Sequence, residues 1–109
     1  MKVGIGQINA RVGDFSANAA KISDVCARLA RGGADFAVFP ECAVSGYPLG
    51  DLVGYNRFVE AAQDALASLA ETLPIPAIVG CPRLDGGPAG ARNSADLLDG
   101  GEVSRICDK

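Results

Sequence analysis

Segments with helical periodicity alternate along the chain with short apolar runs, and this alternation constrains the fold more than any other feature. From Ile22, apolar residues recur at i, i+3, i+4 and i+7, which predicts a helix over residues 16–31 with one apolar stripe. The glycines at positions 32 and 33 are expected to end it. Residues 36–39 are all apolar, which is typical of a strand covered on both faces.

The second half of the chain continues the alternation. A helical pattern covers about residues 52–73 and ends before two prolines, and residues 77–81 predict another buried strand. Two shorter strands are predicted at residues 94–98 and 102–107, joined by an Asp-Gly-Gly hairpin turn. With a first strand beginning at Val3, the predicted order is β-α-β-α-β-β-β, an α/β layered sheet.

Composition excludes several functional classes. The chain has 109 residues, a net charge of −3 and no histidine, so it lacks the histidine of a Ser-His-Asp triad or a Cys-His pair. We expect no partner among nucleic acids or membranes, because no basic cluster or long apolar stretch is present. A glycine-rich phosphate loop is also missing, so neither ATP nor NAD is expected to bind this chain, and no metal site is expected.

The four cysteines are Cys26, Cys42, Cys81 and Cys107, and none of them forms a C-x-x-C pair. We interpret all four as core thiols of a cytoplasmic protein, because cysteine is among the most buried residue types. Cys42 adjoins Glu41, but neighbouring side chains in an extended segment point to opposite sides.

Glu41 is the residue best placed for chemistry. It follows a predicted buried strand and a proline, and functional residues of layered α/β sheets gather at the carboxyl ends of strands. A carboxylate at the rim of an apolar pocket suits a general base. Placement alone leaves open that Glu41 is a surface loop carboxylate or a partner in a helix N-cap.

Five stretches resemble the nitrilase, or carbon-nitrogen hydrolase, superfamily. They are VGIGQIN at residues 3–9, VGD at 12–14, NAAKI at 18–22, GADFAVFPE at 33–41 and SGYPLGDLV at 45–53. The last is similar to a loop in the glutaminase domain of glutamine-dependent NAD synthetases. The resemblance implies part of an α-β-β-α sandwich, with residues 1–109 forming the N-terminal portion of a glutaminase domain that is incomplete at its C-terminus.

The resemblance also implies the catalytic residues. The family uses a glutamate, a lysine and a cysteine; Glu41 matches the glutamate, and Lys109 matches the lysine by position. Lys109 could otherwise be a solvated terminal lysine. The nucleophilic cysteine lies well downstream in the family and has no counterpart here, so the 109 residues alone are expected to be inactive. One departure from the family is Arg92, which stands before Asn93 where relatives usually have an aromatic residue; we expect it to affect local packing.

The implied function is hydrolysis of glutamine, or of another small amide, to supply ammonia for ATP-dependent NAD synthesis from deamido-NAD. ATP and magnesium would bind a separate synthetase domain, and the complete protein is expected to form homo-oligomers. Two alternatives remain open at this point. The chain could come from a stand-alone amidase or carbamoylase of the same superfamily, or it could be a non-catalytic remnant.

Overall fold

The computed structural model describes residues 1–46, 56–84 and 91–108 of the chain. The predicted order of elements is confirmed. The elements are β1 (Val3–Ile5), α1 (Phe15–Arg31), β2 (Phe36–Val38), α2 (Asn56–Ala70), β3 (Ala77–Leu84), β4 (Ala91–Asp99) and β5 (Glu102–Asp108). Most of the 45–53 loop, the predicted helix start at residue 52 and Lys109 lie outside the described residues.

The five strands form one sheet in the order β1-β2-β3-β4-β5. The first three strands are parallel, and α1 and α2 provide the two crossovers between them. Strands β3, β4 and β5 are antiparallel, with a register shift in β4 between Ala95 and Asp96. The hairpin between β4 and β5 turns at Gly100 and Gly101, both at positive φ, as a two-residue turn of this kind requires.

Helix α1 begins and ends where the sequence predicts. The side chain of Asp14 accepts a hydrogen bond from the backbone N–H of Ala17, which satisfies one of the donors at the helix start. At the other end, Gly33 rather than Gly32 adopts the left-handed conformation, with φ of 93°. The predicted apolar stripe faces inward, with Ile22 and Cys26 fully buried.

Both helices cover the same face of the sheet, and the main core lies between them and the strands. Ala37, Val79 and Leu98 project from three successive strands into this core and are fully buried. Leu66 of α2 packs against them, next to Ile22 of α1. The chain therefore provides one helical layer and one sheet layer of the four-layered sandwich that the resemblance implies.

The opposite face of the sheet, which we call the open face, carries side chains of the alternate parity. Val3 and Ile5 are 48% and 65% exposed, and Val38 and Ile78 are half-buried. The apolar runs at residues 36–39 and 77–81 do form strands, and the described residues cover these strands on the helical face only. An uninterrupted apolar run indicates apolar surroundings on both sides, but here only the helical side is supplied by these residues.

None of the helices in the described ranges is both long and apolar enough to cross a membrane.

Candidate active site

Glu41 lies in a tight turn that begins directly after β2 and the Phe39-Pro40 step. Cys42 adopts a positive φ of 53°, which is uncommon for a residue with a side chain. The backbone N–H of Gly46 donates to the carbonyl of Cys42 at 2.8 Å and closes the turn. Residues 41–45 therefore form a turn, so the extended geometry assumed for the neighbouring side chains of Glu41 and Cys42 does not apply.

Gly80 of β3 allows this turn to lie directly on the sheet. A Cβ atom at position 80 would come within 2.6 Å of the backbone nitrogen of Cys42 and of the carbonyl oxygen of Pro40, and within 2.7 Å of the Cα of Glu41. Side chains do not tolerate backbone contacts that short. The backbone of Glu41 is thus held against a strand where only glycine fits.

The carboxylate of Glu41 is exposed but bonded. The side-chain amide of Asn93, on β4, donates from Nδ2 to Glu41 Oε1. The Oδ1 atom of the same amide accepts from the thiol of Cys42 at 3.7 Å. Asn93 therefore links the carboxylate to the residue that follows it in the turn.

A buried asparagine on α1 forms a hydrogen bond to the turn that carries Glu41. Asn18 of α1 is fully buried and donates from Nδ2 to the carbonyl oxygens of Arg11 at 2.7 Å and Val44 at 2.9 Å. Its Oδ1 accepts from the backbone N–H of Arg11 at 2.8 Å. These bonds join the segment before α1 to the turn that carries Glu41, and all of them are made by a side chain shielded from water.

Two open grooves meet at Glu41. One, of about 280 Å³, is lined by the segment from Ile8 to Ala10 and by the turn itself. The other, of about 400 Å³, lies on the open face and is mainly apolar, with Ile78, Ala95 and Cys107 among its lining residues. The structure therefore places Glu41 at the rim of an apolar groove.

The cysteines fall into two groups. Cys26, Cys42 and Cys81 are buried, as predicted, and burial raises the pKa of Cys26 and raises that of Cys81 to about 12. For Cys81 the nearby carboxylate of Asp96 adds to this rise. The prediction that Cys107 is a core thiol is wrong: it is exposed on an edge strand and lines the same groove as Glu41.

Two residues near Glu41 were not recognised as part of the site from the sequence. The sequence relates only Arg92, the residue before Asn93, to local packing, and Gly80 lies within the strand predicted at residues 77–81. The parallel pairing of β2 with β3 brings Gly80 next to the turn that follows β2. The pairing of β3 with β4, in which Pro82 faces Asn93, brings Asn93 there. Within the described ranges, no cluster of three or more acidic, cysteine or histidine side chains could hold a metal ion.

Comparison with known proteins identifies the family. The family model described as carbon-nitrogen hydrolase matches residues 2–106, which is nearly the whole chain. The chain belongs to the carbon-nitrogen hydrolase family. Among curated relatives, a glutamine-dependent NAD(+) synthetase from Synechocystis sp. is 33% identical over 110 residues, covering 94% of this chain and 20% of the relative.

Solved structures agree with this family. A glutamine-dependent NAD+ synthetase from Acinetobacter baumannii superposes with a TM-score of 0.86 at 28% identity, over 98% of this chain and 20% of the other. A variant of an amidase from Nesterenkonia sp., in complex with butyramide, gives a TM-score of 0.83 at 28% identity, over 100% of this chain and 42% of the other. This carbon-nitrogen hydrolase chain spans between 11% and 20% of the length of the curated synthetases that it matches.

Proposed function

We propose that this chain supplies the general base of a glutaminase whose ammonia is used for ATP-dependent synthesis of NAD from deamido-NAD. The observation that carries the proposal is the placement of Glu41. Its backbone is seated on Gly80, its carboxylate is bonded to an amide, and its side chain stands at the rim of an apolar groove. The relatives named above as glutamine-dependent NAD synthetases support glutamine as the substrate.

The proposed reaction begins with proton transfer. The Glu41 carboxylate removes the proton of a cysteine thiol, and the thiolate forms a bond to the amide carbon of glutamine. Lys109 stabilises the negative charge that develops on the amide oxygen. Glu41 then returns its proton to the amide nitrogen, the carbon–nitrogen bond breaks, and ammonia leaves a thioester.

Water completes the cycle by the same route. Glu41 takes a proton from a water molecule while the oxygen of that water attacks the thioester carbon. The carbon–sulfur bond then breaks, glutamate leaves, and the thiolate recovers its proton from Glu41. Lys109 stabilises the oxyanion in this step as well.

The attacking cysteine is proposed to come from chain outside these 109 residues. Cys26 and Cys81 are buried on the helical side of the sheet with raised pKa values, which disfavours the reactive thiolate. Cys42 is buried and its thiol bonds to Asn93. Cys107 is exposed and lines the same groove as Glu41, so burial does not exclude it. The resemblance places the nucleophile well downstream in the family, and for that reason we expect no glutamine hydrolysis from residues 1–109 alone. The complete protein is proposed to be a cytoplasmic homo-oligomer whose separate synthetase domain binds ATP and magnesium.

A second candidate is an amidase that acts on small amides without NAD synthesis. The likeness to the Nesterenkonia amidase favours it, because that likeness extends over the whole chain. The length of the reading frame that carries this chain distinguishes the two candidates, since a synthetase requires a second large domain.

The test uses the product of that complete reading frame. Glutamine-dependent and ammonia-dependent formation of NAD are measured for wild type and Glu41→Gln. We expect the variant to lose the glutamine-dependent rate and to keep the ammonia-dependent rate. Hydrolysis of short aliphatic amides without NAD formation would instead support the amidase, and a stop codon directly after Lys109 in the intact gene would overturn both enzymatic functions.

A further inference from the structure

We propose that Asn93 is a positioning residue that fixes the Glu41 carboxylate in the orientation required for proton transfer. The inference rests on the proposed role of Glu41 as the base. It assigns a function to a side chain to which the sequence pattern alone assigns none.

The first argument is the arrangement of the two bonds made by the Asn93 amide. Nδ2 donates to Glu41 Oε1, and Oδ1 accepts from the thiol of Cys42. A carboxylate can only accept and a thiol can donate, so the two neighbours define which way the amide faces. The Cys42 thiol therefore orients the Asn93 amide, and the Asn93 amide orients the Glu41 carboxylate.

The second argument is the exposure of Glu41. A glutamate side chain at an exposed position samples several rotamers, and ordering it costs conformational free energy. A base must lie within hydrogen-bond reach of the proton that it removes. A bond to one carboxylate oxygen sets the plane and direction of the whole group, so Asn93 restricts the side chain before substrate arrives.

The third argument is the platform that carries the amide. Asn93 lies opposite Pro82 in the β3–β4 ladder, and two pairs along the same ladder Ala95 lies opposite Gly80. Gly80 seats the backbone of Glu41, and Asn93 holds its carboxylate. One antiparallel pair of strands therefore fixes both ends of the residue, which is more rigid than a loop contact.

The chemistry of an amide suits this task. An amide N–H donates a hydrogen bond to the Glu41 carboxylate and does not compete with it for a proton. A carboxylate at position 93 would repel the Glu41 carboxylate. Asn93→Asp is nearly isosteric, so it keeps the volume and removes the donor. This property separates a positioning role from a packing role.

The experiment measures glutamine hydrolysis by the full-length protein for Asn93→Ala, Asn93→Asp and Glu41→Gln. Gln63→Glu on α2 makes the same amide-to-acid change on the helical side of the sheet and is the matched control. We expect both Asn93 variants to lower kcat about 10- to 100-fold with KM within about twofold, because the base is misplaced while the substrate still binds. Asn93→Asp should be at least as impaired as Asn93→Ala. Retention of ammonia-dependent NAD synthesis and an unchanged melting temperature would show that the variants are folded.

Three results would overturn the inference, and each has a different meaning. Near wild-type kcat in Asn93→Asp, with only Asn93→Ala impaired, indicates that position 93 fills space. Full activity of Glu41→Gln would contradict the proposed role of Glu41 as the base, and the positioning role of Asn93 would then fail as well. If Glu41→Gln is inactive and both Asn93 variants are unimpaired, the base assignment stands and only the role of Asn93 is wrong.

Discussion

Two carboxylates that lie against the same pair of strands have opposite surroundings. Asp96 projects from β4 towards the helices and is fully buried, with Oδ1 at 2.5 Å from the guanidinium of Arg83 and Oδ2 at 3.1 Å from the hydroxyl of Ser94. Glu41 lies at the rim of the open face, is exposed, and accepts a hydrogen bond from the uncharged amide of Asn93.

The difference separates a structural acid from a reactive one. The charge of a buried carboxylate is balanced by the cation beside it, and removing either partner destabilises the fold. A carboxylate held by a neutral amide at the edge of a groove is oriented while it stays accessible to a substrate. The helical side of the sheet therefore carries stability, and the open side carries the proposed chemistry.

The largest effect on stability is expected when the buried pair is broken. Asp96→Ala leaves the partly buried guanidinium of Arg83 without its carboxylate, and we expect a loss of about 3 kcal/mol in the free energy of unfolding. Asp24→Ala is the matched control, since Asp24 and Arg28 form an exposed pair on α1 that is worth less than about 1 kcal/mol. Urea denaturation measures both. Equal losses for the two variants would contradict the distinction between the buried pair and the exposed pair.

A smaller loss is expected at the contact between the turn and the sheet. Gly80→Ala inserts a methyl group against the backbone at Pro40 and Cys42, so we expect a loss of about 1–3 kcal/mol and a displaced Glu41. Gly32→Ala is the control, because its Cβ would meet only ordinary contacts at 3.5 Å or more, at a φ of −80°. Denaturation and glutamine hydrolysis are measured together. Wild-type hydrolysis by Gly80→Ala would show that the close contact does not position the base.

The smallest effect concerns pH and the helical side of the sheet. The pKa of Cys81 rises in the folded state to about 12, chiefly through burial, so the folded state holds this proton more tightly than the unfolded state does. Its contribution to stability is complete below the ordinary pKa near 9 and is lost as pH rises towards 12. Between pH 9 and 10 the unfolding free energy should fall by at most about 1.4 kcal/mol through this thiol.

The control for this pH effect is a second cysteine variant. Cys81→Ala should flatten the decline of stability above pH 9, whereas Cys107→Ala removes an exposed thiol and should leave it as in wild type. Denaturation at several pH values between 8 and 10 measures the slopes. The same slope in all three proteins would exclude Cys81 as its source.

Features that depend on local interactions could be predicted from the sequence, and features that depend on distant partners could not. Helix α1 and the Gly100-Gly101 turn depend on neighbours within a few residues, and the sequence predicts both. The Asp14 cap is equally local, but it is seen only in the structure. The partners of Glu41 were not, because Asn93 lies 52 residues away and meets it only through strand pairing. Cys107 was placed in the core because an apolar residue in a strand does not reveal which of its faces is covered.

The central claim is that the acid at position 41 removes protons during amide hydrolysis. The most direct measurement is the rate of ammonia release from glutamine by the full-length protein carrying Glu41→Gln, compared with Glu60→Gln on the exposed side of α2. The account predicts a loss of at least about 100-fold for the first variant, in line with removal of a general base, and wild-type release for the second. Ammonia release by Glu41→Gln within a factor of two of wild type would contradict it.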